Sequence, residues 1–307
     1  MNLREKLQII QNISSLTQTA LAARLEVSFA TFNSWWTGKS QPRPKKLELI
    51  DGLYRELSGQ KLIPDDVLVA KKMLVAKEAK KYPDILKLIS DNPDIYDQFL
   101  LSLTYHSNKI EGSTLSEDET ADILFNNQAL SNKSLIEHLE VKNHQAALNY
   151  LFTYLKSKVR ISEELILKLH SILLNGIRDD AGCFRQHAVR IVGSYVPTAN
   201  YLKVPELIKA LVKDINEADK DIIATTSRIH AEFEKVHPFA DGNGRIGRLI
   251  MAAQLVRANL PPAVIEQGVK RRYYSSLNRA QLKGEYPPLE DFICEAVLKG
   301  CKIVDRK

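Results

Sequence analysis

The stretch HPFADGNGRIGR, residues 237–248, gathers an imidazole, a carboxylate, closely spaced glycines and two guanidinium groups. Leu249, Ile250, Ala253 and Val256 then recur at helical spacing, so the run 249–260 reads as an amphipathic helix, stopped by Pro261 and Pro262. The glycine turn therefore sits at a helix N-terminus, where free backbone N–H groups and the macrodipole make an anion site. Gly242 and Gly244 let the backbone approach a phosphate with no Cβ in the way. Arg245 and Arg248, three apart, reach the same polyphosphate with fork geometry suited to its oxygens. Asp241 is a hard oxygen ligand for a Mg²⁺ that bridges phosphates, and His237 is the group able to accept a proton near neutral pH. Together these point to nucleotide phosphoryl chemistry. The pattern is not a Walker A loop, because no Lys-Ser/Thr follows the glycines, and it is not a Rossmann fingerprint.

The chain has 307 residues, room for about two domains and a sizeable core. Hydrophobic residues make up 44% and charged residues 26%, which speaks against wholesale disorder. With 13 glycines, 12 prolines and many aliphatic residues at helical spacing, the chain is expected to be mainly α-helical. The opening MNLREKL is charged and lacks an apolar core segment, and no apolar run reaches transmembrane length, so a cytoplasmic protein off the membrane is expected. Cys183, Cys294 and Cys301 form neither a metal motif nor an even disulfide set, in keeping with a reducing compartment. The net charge of +6 allows anionic partners without demanding them.

HPFADGNGRIGR fits H-x-F-x-(Asp/Glu)-G-N-G-R-x-x-R at every specified position and so resembles the motif of the Fic (Fido) family. The resemblance implies an all-helical Fic domain with a small β-hairpin flap, in a chain expected to be mainly α with an N-terminal helix-turn-helix bundle ahead of it. It implies protein adenylylation, in which AMP passes from ATP to a Tyr, Ser or Thr hydroxyl with Mg²⁺ as cofactor. His237 would be the general base and Asp241 the Mg²⁺ ligand. The turn Gly242-Asn243-Gly244 would stabilise charge on the α-phosphate, Arg245 would grip the β-phosphate and Arg248 the γ-phosphate, with Ile246 and Gly247 completing the nucleotide-binding turn.

Upstream, Asp91-Asn-Pro-Asp94 starts a helix carrying Ile95, Phe99, Leu103 and His106, and it runs into Ser107-x-x-x-Glu111-Gly112. That ending resembles the inhibitory (Ser/Thr)-x-x-x-Glu-(Gly/Asn) motif of Fic proteins. The resemblance implies that Glu111 pairs with Arg248, occupies the fork and repels the incoming γ-phosphate. The plainer alternative is a helix capped at Gly112 with a solvent-facing Glu111. Ser116 with Glu119 reads as a capping box that opens the next helix.

Residues 135–155 and 161–177 are helical patterns on which His144 and His170 read as packing residues. Gly182 and Arg185 match the family's G-x-x-R turn. The β-prone run 188–193, closed by 194–197, is expected to form the flap, with Val192, Gly193, Ser194 and Tyr195 lining the nucleotide. His230, Glu234 and His237 share one helix face; a metal set is one reading of that spacing, packing of His230 the other. Tyr273 and Tyr274 match the family's paired tyrosines and either face a purine or belong to the core. Gln281 stands where the family often has Asn, which leaves base preference open.

The first sixty residues read as short helices. The pattern T-Q-x-x-L-A-x-x-L-x-V-S…W-x-x-G-K…P, from Thr17 onward, resembles the XRE-type helix-turn-helix. The segment has eight basic and five acidic residues, half of the chain's net charge. Yet the helix 28–36, which would enter the major groove, offers only Thr31, Asn33 and Ser34 to base edges. DNA binding through 1–60 and a docking module without DNA contact are both open. The expected division is 1–60 helix-turn-helix, 61–90 helical linker and 91–303 Fic domain. Expected partners are a hydroxyl-bearing target protein, the chain itself as a target, DNA, and further copies in a homo-oligomer. Two alternatives to adenylyl transfer are removal of AMP with the help of Glu111 and a DNA-binding regulator with a nucleotide-sensing Fic domain.

Overall fold

The computed structural model describes residues 3–57, 63–191, 194–217 and 221–306. Four short helices lead: α1 (Leu3–Ser14), α2 (Gln18–Arg24), α3 (Phe29–Trp36) and α4 (Pro44–Leu57). Their apolar faces meet in a cluster of their own around Leu7, Ile10, Leu21, Phe32 and Ile50. Thr17 and Ser28 begin α2 and α3 by accepting hydrogen bonds from the N–H groups of Ala20 and Thr31. Lys46 donates to the carbonyls of Leu25 and Glu26 (2.8 and 3.2 Å), so this lysine closes the end of α2 rather than standing free.

The remaining helices are α5 (Asp65–Ala79), α6 (Ile85–Asp91), α7 (Pro93–Glu111), α8 (Glu117–Phe125), α9 (Leu135–Lys156), α10 (Glu163–Leu173), α11 (Val204–Asn216), α12 (Ile222–Val236), α13 (Asn243–Arg257), α14 (Lys270–Lys283) and α15 (Pro287–Val304). Capping boxes at Ser116 and Ser134 start α8 and α9. The segment expected to be a linker holds α5 and α6. Val75 of α5 is buried with the C-terminal helices and Lys71 of α5 bonds Asp291 and Glu295 of α15, while Ile85 and Ile89 of α6 are buried in the cluster shared with α7, α9 and α13.

The pair α12–α13 is central. Phe233, Phe239, Ile246 and Ile250 face α9 and α10 in one cluster, while Ala231, Met251 and Leu255 face Tyr273, Phe292 and Val297 of α14 and α15 in another. A helix buried on all sides needs small or apolar residues all round, which α13 supplies with Gly247, Ala252 and Ala253. The loop joining α12 to α13 is thereby fixed at both ends by the core. Among the described residues no helix is long and apolar enough to cross a membrane.

The expected β-hairpin flap is absent, because the described residues contain no β-strand at all. The Val189 carbonyl of the β-prone run and backbone groups on either side of it are engaged elsewhere. Arg185 donates to the His187 carbonyl, Thr198 Oγ1 to the Val189 carbonyl, and the N–H of Ala199 to the Lys235 carbonyl. Pro197 has no N–H to offer a ladder. The chain from 194 to 200 therefore has no regular secondary structure, and its Ala199 N–H is tied to the last turn of α12. Val192 and Gly193 lie outside the described residues.

Candidate active site

The loop between α12 and α13 is held by groups from three directions. His237 ends α12 in the left-handed region (φ 50°), which reverses the chain and is an uncommon conformation for a residue with a Cβ. Arg185, almost wholly buried, donates from Nε to the His237 carbonyl (2.7 Å), from Nη2 to those of Val236 and Ala199, and from Nη1 to that of His187. Asn243 ties the loop across its middle: its Oδ1 accepts from the Phe239 N–H and its Nδ2 donates to the Phe239 carbonyl, both at 2.9 Å. His170 of α10 stacks on Phe239 with ring centroids 3.7 Å apart, bonds the Asp241 carbonyl through Nε2 (3.1 Å) and accepts from the Gly182 N–H at Nδ1 (2.8 Å). Burial pushes the His170 pKa down to about 4, so the ring is neutral and its two nitrogens have fixed, opposite roles. His170 thus orients the loop as well as packing beneath it.

Asp241, Gly242 and the first turn of α13 form the charged rim. The Asp241 side chain is 52% exposed; its Oδ1 accepts from the Gly242 N–H (2.6 Å) and lies 3.7 Å from Arg245 Nη2. Among the described residues no group of three or more His, Cys, Asp or Glu could hold a metal ion by itself. A lone exposed carboxylate suits Mg²⁺, which keeps waters and completes its shell with substrate phosphates. Arg245 is 3% exposed and donates to Glu140 of α9 (2.7 Å). Its guanidinium thus reaches the rim from below, already partnered.

Arg248 is engaged on one side by α7. Its Nε donates to Ser107 Oγ (2.9 Å), and its Nη2 donates to the Ser107 carbonyl (3.2 Å) and to Glu111 Oε1 (2.6 Å). Nη1 is buried and has no partner. Burial opposes the charge on Arg248, but Glu111 outweighs it and holds the guanidinium above its ordinary range. The Glu111 carboxylate also covers the helix N-terminus: a Cβ on Gly244 would lie 2.3 Å from Glu111 Oε1. Gly112 ends α7 in the left-handed region (φ 114°), and Lys270 of α14 donates to the Ile110 carbonyl, so the last turn of α7 is fixed at this spot.

His237 Nδ1 donates to the carbonyl of Glu234 (3.2 Å), which leaves Nε2 as the basic nitrogen. Burial lowers the His237 pKa below its ordinary value. Behind the ring, the Glu234 carboxyl group is buried. Desolvation, against the pull of Arg248 and with the push of Glu111, raises its pKa to about 8. His230 Nε2 bonds the Tyr273 hydroxyl (2.6 Å) in the same buried layer.

The other expected ligands divide. Tyr273 is wholly buried against Phe292 and His230, and Gln281 spends its amide on the Ala231 carbonyl (3.2 Å); both back the site rather than face it. Tyr274 is half-buried beneath Lys270 Nζ. Ser194 Oγ donates to Asn278 Oδ1 of α14 (3.1 Å), while Tyr195 projects into solvent. Ile246 is in the core, and Gly247 faces Glu234 and His230. Sequence reading missed Glu140 and Asn278, whose partners lie far along the chain; it noted Glu234 and Arg185 but not the burial of the Glu234 carboxyl group beside His237 or the carbonyl clamp made by Arg185.

Residues 160–255, which contain this loop, match the Fic/DOC family. This segment is a Fic domain. Over 199 residues the chain is 31% identical to the protein adenylyltransferase Fic of Drosophila melanogaster and to that of Drosophila sechellia, an overlap of 64% of this chain and 40% of each relative. The match thus spans about two fifths of the length of those relatives. Among solved structures, a Fic domain containing signaling protein from Bacteroides thetaiotaomicron superposes with a TM-score of 0.65 at 24% identity, covering 76% of this chain and 96% of that one. Fic-1 (aa134 - 508) from C. elegans superposes with a TM-score of 0.63 at 24% identity, covering 97% and 96%. These likenesses concern the fold.

Proposed function

We propose that the Fic domain of this chain is a protein adenylyltransferase held in check by Glu111. The observation that carries the reading is the Glu111 carboxylate, 2.6 Å from Arg248 and pressed against Gly244 at the N-terminus of α13, where the domain's chemistry calls for a phosphate. In the reaction a target hydroxyl oxygen forms a bond to the α-phosphorus of ATP, the bond to pyrophosphate breaks, and His237 Nε2 takes the hydroxyl proton. Asp241 would hold Mg²⁺, which neutralises phosphate charge. The N–H groups of the Gly242–Gly244 turn would face the charge that grows on the α-phosphate. Arg248 would receive the γ-phosphate once Glu111 leaves. Arg245, already bonded to Glu140, would support Asp241 and the β-phosphate side of the turn. Catalysis is then mostly positioning and electrostatics, so displacing one phosphate is enough to stop it.

The test is labelling with α-³²P-ATP in cell lysate. Glu111→Gly should raise protein labelling well above wild type and His237→Ala should remove it. No labelled protein with Glu111→Gly would overturn the reading. Release of AMP from a modified protein, lost in Glu111→Gly, would instead assign Glu111 to the reverse reaction.

A DNA-binding role for α1–α4 is a separate proposal, supported by the exposed Thr31 and Asn33 on α3 and by exposed Lys39, Arg43 and Lys45 beside it. A salt-sensitive shift of duplex DNA by the full chain, reduced by Lys39/Arg43/Lys45→Ala, would support it, and equal binding by the two proteins would count against it.

A further inference from the structure

Glu234 has no part in the reaction just described, yet its carboxyl group lies directly behind the base. Oε2 is 4.0 Å from His237 Nδ1, and the Glu234 backbone carbonyl accepts the hydrogen bond from that same nitrogen. Among the described residues, Oε1 is buried without a hydrogen-bond partner. A buried carboxyl with an unmatched oxygen is destabilising, so its place needs a reason. The helix opposite makes room for it: a Cβ on Gly247 would lie 2.7 Å from Glu234 Oε1 and 3.2 Å from His230 Nδ1. A Cβ at this position of α13 would therefore press on the carboxyl group and force it to shift, whereas glycine leaves it room.

Resting on the adenylyltransferase reading, we propose that Glu234 is a positioning residue for His237, fixing the Nδ1–H tautomer through its carbonyl and, when its carboxyl group is ionised, offsetting the positive charge that the ring acquires when Nε2 takes the target proton. The arrangement parallels in logic the carboxylate behind a histidine base, which orients the imidazole and stabilises the imidazolium. The proton balance is simple. The hydroxyl proton goes to Nε2, the Nδ1 proton stays where it is, and Glu234 neither gains nor loses one during the step.

The charged and titratable groups around Glu234 are His230 and His237 from α12, Arg248 from α13, Glu111 from α7, and Tyr273 and Tyr274 from α14; Arg185 and Asp241 also face His237. Glu111 and burial keep Glu234 protonated up to about pH 8, against Arg248. As pH rises through that value the carboxylate forms 4.0 Å from His237 Nδ1 and strengthens the base. Removing Glu111 takes away one negative neighbour and moves the transition to lower pH.

Two measurements test this. Ring resonances of His237, followed by NMR in the wild-type chain, should show Nδ1 protonated and a second inflection near the Glu234 transition, absent in Glu234→Gln. In labelling by Glu111→Gly, kcat should rise across that transition. In Glu111→Gly/Glu234→Gln the rise should vanish, leaving kcat about tenfold lower at the alkaline end with KM for ATP changed less than about twofold. A second inflection that persists in Glu234→Gln, or a kcat lowered equally at every pH, would overturn the proposal, the latter reducing Glu234 to packing. The NMR result stands whether or not labelling is found, so a failure here is separable from a failure of the adenylyltransferase reading.

Discussion

Replacing Glu111 should change ATP binding by an amount that the structure bounds. The ion pair with Arg248 is 2.6 Å long, the arginine side chain is 9% exposed and the carboxylate 30%. Breaking a fully buried pair costs about 3–5 kcal/mol, and a surface pair is worth about 0–1 kcal/mol. With one partner partly solvated, about 1–2 kcal/mol is the expected value here. ATP must displace this contact before its γ-phosphate reaches Arg248, so wild type should bind ATP about 5- to 30-fold more weakly than Glu111→Gln. ADP has no γ-phosphate and should gain much less from the substitution. Gln is the better probe than Gly, because it removes the charge while keeping the last helical turn of α7. Calorimetric titration of both proteins with ATP and ADP in Mg²⁺ buffer reads the difference. Equal affinities for ATP, or an ADP gain as large as the ATP gain, would refute the competition between carboxylate and phosphate.

Other consequences concern the loop and the buried acids. Arg185→Ala should lower stability by about 3 kcal/mol or more in urea denaturation, since it leaves four carbonyls without their charged donor; Lys should rescue little, because one ammonium cannot reach them all. Glu234→Gln should raise stability at pH 7. The folded-state pKa of about 8 exceeds the ordinary 4.5, so the unfolded chain releases the proton first and wild type loses stability as pH rises through that window, by about 3 kcal/mol at neutrality. Denaturation from pH 5 to 8 should show that slope in wild type and a flatter one in the variant. Because burial lowers the His237 pKa, the labelling rate of Glu111→Gly/Glu234→Gln, which lacks the Glu234 transition, should hold as pH falls to the ordinary 6.5 and decline only below it.

Much of the helical architecture was legible from spacing. Residues 135–155 and the capping boxes at Ser116 and Ser134 are local signals, and local signals suffice for long amphipathic helices. Helix α6 escaped notice because seven residues carry too little periodicity. The β-prone run at 188–193 misled, since strand propensity needs a partner to pair with, and here the Val189 carbonyl goes to the Thr198 hydroxyl instead. The motif loop was legible as a glycine turn at a helix N-terminus, yet Asn243 bonding Phe239 could not be distinguished from Asn243 facing a ligand. The pairing of Arg245 with Glu140 arises from packing of separate helices, which spacing alone does not specify, whereas the closeness of Glu234 to His237 follows from their i,i+3 spacing and only the burial of the carboxyl group needed the fold. Paired tyrosines likewise gave no sign of which faces the core; burial assigns Tyr273 there and leaves Tyr274 half-buried at the edge.

The most direct test of the whole account is the transfer of radioactive AMP from ATP to protein by the full chain, wild type against Glu111→Gly and Glu111→Gly/His237→Ala. The account predicts faint labelling, strong labelling and none, in that order. Strong labelling that survives loss of His237, or wild type as active as Glu111→Gly, would contradict it.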